Sequence, residues 1–109
     1  MVVTNHGVVL VTVNTQTLAQ EIAKALVSDR LAACVNLYPI HSVYTWEGKL
    51  EEAAEWQLVI KTDLALFAEI ESTLQTLHPY DVPEILALPI QRGSQPYLSW
   101  MTNVVRSPH

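Results

Sequence analysis

Hydrophobic and polar positions recur with periods that change along the chain, and each change predicts an element. Val8-Val9-Leu10-Val11-Thr12-Val13 is a β-branched run with the length and richness of a buried central strand. Asn14 or Thr15 can cap the helix that follows, where Leu18, Ile22, Ala25 and Leu26 recur at three-to-four spacing and Gln20, Glu21 and Lys24 fall largely on other faces. That helix ends near Asp29 and Arg30. From Ala32 to Trp46 the chain is rich in β-formers and reads as one long strand, in which Pro39, lacking an N–H for a ladder, implies a bulge, a bend or a sheet edge. Glu47-Gly48 is a tight turn, and Lys49 to Lys61 returns as a second long strand. A two-residue loop sets Trp46 opposite Lys49, Tyr44 opposite Glu51 and Leu37 opposite Leu58. Asp63 caps a second helix whose Leu64, Phe67, Ile70, Leu74 and Leu77 form one apolar stripe, and Pro79, after His78, stops it. Glu84 to Leu88 predicts a fourth strand ended at or soon after Pro89. Pro96, at the first helical position, opens a last helix carrying Tyr97, Leu98, Trp100, Met101, Val104 and Val105.

The order β-α-β-β-α-β with an extra C-terminal helix is the ferredoxin-like, split βαβ arrangement, an α+β fold. Right-handed crossovers place both main helices on one face of the sheet and leave the other face bare. The long β2–β3 hairpin divides in two: Trp56 to Ile60 reads as core, whereas Lys49 to Glu55 reads as a projection from it. Strands of about 14 residues at about 3.3 Å each reach about 45 Å. A domain of this length has a radius of gyration of about 13 Å, a diameter near 35 Å, so the hairpin outgrows it. A bare ribbon carrying Val43, Tyr44, Trp46 and Leu50 is marginal in water and needs cover, which closed self-association supplies to every copy equally. The competing expectation is a ribbon that bends at Pro39 and folds back over its own sheet.

A chain of 109 residues suits one domain, residues 1–109, with its core at about 8–105. No apolar stretch approaches the roughly 18 residues of a membrane span, so no membrane partner is expected. The first residues carry no signal-like pattern, and the single cysteine, Cys34, excludes an internal disulfide; both point to the cytoplasm. A formal charge of −5 with six thinly spread Lys and Arg gives no clustered basic face for phosphates, so no nucleic-acid partner is expected either. With three glycines there is no phosphate loop or dinucleotide fingerprint, and neither a Gly-x-Ser-x-Gly elbow nor a paired-histidine helix occurs; the expectation is a protein that is not an enzyme and requires no cofactor.

Four stretches resemble the CutA, or divalent-ion-tolerance, family, in order and spacing from about Val8 to Val105. They are Leu31-Ala32-Ala33-Cys34-Val35-Asn36, Tyr44-Thr45-Trp46-Glu47-Gly48-Lys49, His78-Pro79-Tyr80-Asp81-Val82-Pro83-Glu84 and Tyr97-Leu98-Ser99-Trp100. The resemblance implies a trimer like the PII signalling proteins, with Tyr44, Trp46, Glu47 and Lys49 on the hairpin that joins subunits. It also implies a link to tolerance of copper and other divalent cations. The family's proposed copper set pairs a first-strand cysteine with histidines just before the Pro-Tyr. Here Val11 and Leu77 occupy two of those positions, so only His78 matches, which leaves at most a weak copper or other divalent-cation site.

Each candidate has a plainer role. His78 at a helix C-terminus can bond the last carbonyls, and Cys34 in a strand is ordinarily a small buried thiol. Trp46, Trp56 and Trp100 read as packing anchors. Glu51, Glu52 and Glu55 form an acidic patch that reads as a solvated face rather than a metal cage, His41 lies on the hairpin, and His6 and His109 near the ends can bind copper adventitiously. Lys61, Tyr80, Asp81 and Glu84 can line a cleft between subunits, or serve as interface hydrogen bonds and salt bridges. The leading expectation is a homotrimeric metal-binding or signalling protein. A PII-like small-molecule sensor using those clefts, or a structural interaction module whose partner is unknown, are the alternatives.

Overall fold

A computed structural model describes residues 5–107. Residues 1–4, on which the absence of a signal-like pattern partly rests, and His109 lie outside the described residues. Strands β1 (His6–Val13), β2 (Cys34–Trp46), β3 (Lys49–Asp63) and β4 (Ile85–Pro89) and helices α1 (Gln16–Ser28), α2 (Phe67–Leu77) and α3 (Gln95–Val104) follow the expected order. The strands form one antiparallel sheet in the order β2-β3-β1-β4, the ferredoxin-like topology.

Local chemistry sets the boundaries. Thr15, rather than Asn14, caps α1, its side chain accepting from the Leu18 amide. Asp63 caps a short 3-10 turn, Leu64–Leu66, that leads into α2, by accepting from the Ala65 amide at 2.9 Å. Pro96 is the second residue of α3, one place later than expected. Pro89 stays inside β4, opposite Gly7, because β4 pairs with β1 alone and an edge strand can spare an N–H. The same reason admits Pro39: β2 is the other edge, and its ladder continues unbroken from Cys34–Lys61 through Pro39–Trp56 to Trp46–Lys49. There is no bulge. The turn takes positive φ at both Glu47 (52°) and Gly48 (77°), a type I′ loop whose twist suits a hairpin.

Side chains alternate between the faces of the sheet. Val9 and Val11 of β1 with Leu58 and Ile60 of β3 are fully buried against Ile22 and Leu26 of α1 and Ile70 and Leu74 of α2. Ala19 takes a buried place on α1, while Leu77 leaves the predicted α2 stripe and is exposed. Helix α3 closes one end of this layer: Met101 is buried in the core, Arg30 Nε donates to the Val104 carbonyl, and Arg106 pairs with Glu69 of α2 at 2.5 Å. The opposite face carries Leu86 and Leu88 of β4 and Tyr38 of β2, all exposed.

The hairpin does not fold back. The molecule measures 50 × 25 × 22 Å with a radius of gyration of 14.6 Å, against about 13 Å for a rounded chain of this length. The excess is the ribbon, whose distal half exposes Val43, Tyr44, Trp46 and, at 75 %, Leu50.

Candidate functional site

Where the ribbon leaves the sheet, the chain between α2 and β4 turns past it and a cavity of about 680 Å3 opens between them. Tyr44, Trp46 and Glu55 line one side, and Tyr80, Asp81 and Glu84 the other. His78 fixes the second wall. Its Nε2–H donates to the Thr12 carbonyl at 2.6 Å, and its Nδ1 accepts from the Tyr80 amide at 3.1 Å, an assignment of the tautomer that follows from the hydrogen bonds. The ring is 9 % exposed and packs edge-on against Tyr80, with centroids 4.6 Å apart. Both nitrogens are therefore engaged by backbone groups. To bind an ion, His78 has to break one of these bonds and leave a backbone group unpaired. The imidazole satisfies a carbonyl of β1 rather than the last carbonyls of its own helix.

Tyr80 in turn holds Glu55. Its hydroxyl donates to Glu55 Oε2 at 2.7 Å, and Glu55 is only 7 % exposed. Burial first, then the hydrogen bond to the Glu55 carboxylate and its charge, push the Tyr80 phenol above its ordinary range, with a smaller push from Tyr44. The phenol thus remains a protonated donor and does not become a base. The acidic patch expected on the ribbon is divided by this arrangement: Glu55 is buried, and Glu52, of opposite parity, lies on the other face bonded to His41 at 2.9 Å. Period-two alternation separates Glu52 from Glu51 and Glu55 in the sequence. Nothing local marks Glu55 for burial, because the residue that covers it is 25 positions away.

The other candidates are dispersed. Lys61 is six residues along β3 from Glu55, about 20 Å at strand rise, and does not join Tyr80, Asp81 and Glu84 within the chain. It donates to Asn36 Oδ1 at 2.6 Å and lies 5.9 Å from the centre of the Tyr97 ring. Cys34, opposite Lys61, is a free thiol only partly buried. Of the tryptophans, Trp56 packs on the core, whereas Trp46 and Trp100 are exposed, the latter beside Tyr97. Glu47 sits in the turn, and Lys49 starts the returning strand opposite Trp46. His6 opens β1 and bonds Thr102 of α3 at 2.8 Å. Among the described residues no three His, Cys, Asp or Glu side chains gather closely enough to hold a metal ion, and no helix is long and apolar enough to cross a membrane.

Comparison with known proteins agrees with the fold. The family model for the CutA1 divalent ion tolerance protein matches residues 7–104. The divalent-cation tolerance protein CutA of Thermus thermophilus is 48 % identical over 86 % of this chain and 92 % of its own. A chloroplastic CutA protein of Arabidopsis thaliana is 45 % identical over 92 % of this chain, which spans 56 % of that protein's length. Among solved structures, the periplasmic divalent cation tolerance protein CutA of Archaeoglobus fulgidus superposes with a TM-score of 0.91 at 40 % identity, covering 93 % of this chain and 99 % of the other. With the family model matched over nearly the whole chain and relatives alike in sequence and in fold, this chain belongs to the CutA1 divalent ion tolerance family.

Proposed function

We propose that this protein serves divalent-cation tolerance as a homotrimer that binds and signals rather than catalyses. One observation carries the reading: the chain leaves an apolar sheet face and half a ribbon uncovered, with Tyr38, Leu86, Leu88, Tyr44, Trp46 and Leu50 all exposed. Closed symmetry covers these residues equally in every copy. The reading needs no cofactor and no reaction, and nothing in the cavity resembles an activated nucleophile, since the Tyr80 phenol is held protonated. A cytoplasmic setting belongs to the proposal, because a single free thiol suits a reducing compartment.

Copper is the first ion to test. The hydrogen bonds of His78 argue for a structural role for this residue: ligation would orphan the Thr12 carbonyl or the Tyr80 amide, at about 1–3 kcal/mol for each buried group. Calorimetric titration of copper into the wild-type protein and into His78→Ala should give the same affinity. A large loss in the variant, with its fold intact by circular dichroism, would return His78 to the metal. The cavity favours a second reading, a PII-like small-molecule sensor, because its volume is that of an ordinary ligand site and Tyr80, Asp81 and Glu84 already converge there.

A further inference from the structure

We propose that copies of this chain meet head to tail across the open sheet face, so that Lys61 of one copy enters the acid-lined cavity of the next and faces its Glu55, Asp81 and Glu84. The inference rests on the homotrimer reading above and deepens it by naming the contact. The first argument is a pair of opposite charges left over on one face. Glu55 and Lys61 lie six residues apart on β3, so period-two alternation turns both toward the face that carries Leu86 and Leu88. Glu55 is 7 % exposed, and its partner is the neutral hydroxyl of Tyr80. Lys61 is half-buried, donates to the neutral amide oxygen of Asn36 at 2.6 Å and lies beside the Tyr97 ring. Among the described residues no cation pairs with Glu55 and no carboxylate pairs with Lys61. Covering either charge alone is costly, and covering one with the other offsets both costs. Within one chain they cannot meet, being about 20 Å apart at strand rise.

The second argument is symmetry. A closed trimer joins its copies through a heterologous contact, in which one patch of each chain meets a different patch of the next. This face supplies two patches of opposite sign. At the root of the ribbon Asp81 and Glu84 join Glu55 around a cavity whose lining holds no Lys, Arg or His, and Lys61 stands at the other end. A contact that set acids against acids would be repulsive, so the charges select the head-to-tail arrangement. The third argument is composition. Between the two ends lie Tyr38, level with Gln57, and Leu86, level with Val59, both exposed. An apolar centre flanked by charge is the anatomy of a protein interface. Tyr44 and Trp46, which wall the cavity, then pack against the incoming copy instead of water, and the cavity is complete only with it.

The test is sedimentation equilibrium of the full chain and its variants, each checked for its fold by circular dichroism. The proposal expects Lys61→Met, which keeps the alkyl stem and removes the charge, to raise the dissociation constant of the assembly by about thirtyfold. Lys61→Glu, which sets acid against acid, should raise it further; should that variant unfold, Lys61→Met carries the test. Lys24→Glu, on the exposed side of α1, makes the same change in net charge and should leave association within about twofold of wild type. Adding Glu84→Lys or Asp81→Lys to Lys61→Glu should recover about tenfold of the loss. Both acids are exposed, so reversing them leaves the Tyr80–Glu55 bond in place. A trimeric wild type whose Lys61→Met variant associates equally well would overturn the head-to-tail contact and spare the homotrimer reading. A loss in Lys61→Glu that neither reversal recovers would overturn it too, because the lysine then meets something other than these acids. A wild-type chain that stays single at every concentration would overturn both.

Discussion

The two halves of the β2–β3 ribbon are built from the same two strands on one continuous ladder, yet they live in different surroundings. In the basal half Leu58 and Ile60 are fully buried beneath the helices, with Val35 and Leu37 packed against them. In the distal half the same alternation presents Val43, Tyr44, Trp46 and Leu50 to solvent. Backbone pairing is equal throughout, so hydrogen bonds do not explain why the distal half stays extended. Two-stranded ribbons are marginal without a packed face. The basal half is held by its own domain, and the distal half is left exposed except at its root, where Tyr80 bonds Glu55.

Substitutions can break this comparison at graded points. The largest effect is expected at Leu58→Ala in the basal half, a loss of about 3 kcal/mol or more in chemical denaturation because a packed side chain is replaced by a cavity. Leu50→Glu, its counterpart in the distal half, should leave the unfolding free energy of a separated chain within about 0.5 kcal/mol while weakening self-association in light scattering. His78→Ala comes next, at about 2 kcal/mol, from two backbone groups orphaned at the root of the ribbon; monitoring amide exchange at Tyr80 and Val13 reports whether the connection to β1 has loosened.

Tyr80→Phe is expected to cost about 1–2 kcal/mol at neutral pH, since it removes a hydrogen bond to a charged acceptor. It also has a pH signature. The folded state holds the phenolic proton more tightly than the unfolded chain, whose tyrosines titrate near about 10, so this contribution is complete below that pH and is lost as the pH climbs from there toward the higher folded value. The difference in stability between wild type and Tyr80→Phe should therefore shrink above about pH 10. Leu50→Glu aside, the smallest effect on folding belongs to the turn. Gly48→Ala forces a Cβ into positive φ in a solvent-exposed loop and should cost about 1 kcal/mol, without changing the basal half's amide protection.

Much of this architecture is legible in the residues themselves. Element order, the hairpin register through Trp46–Lys49 and Leu37–Leu58, and the caps at Thr15 and Asp63 follow from periodicity and turn chemistry, which are local. The ribbon's length followed from residue count and strand rise, and the long axis of 50 Å agrees with it. The site was only half legible. Tyr80, Asp81 and Glu84 are close in sequence and meet, but within one chain Lys61 does not join them, because a ladder carries it to the far end of β3; a cleft between subunits is a separate matter that one chain does not decide. Glu55 was hidden for the converse reason: a glutamate between alanines and Trp56 reads as surface until a tyrosine from another element covers it. His78 illustrates the same point, since its partner on β1 is 66 residues away.

The central claim is that the distal ribbon and the open sheet face are buried between copies of this chain. Sedimentation equilibrium across a concentration series measures it directly. The account predicts a closed species of three times the 12.2 kDa chain mass, persisting on dilution to micromolar protein. A single 12.2 kDa particle that keeps its full amide protection along the distal ribbon at that dilution would contradict it.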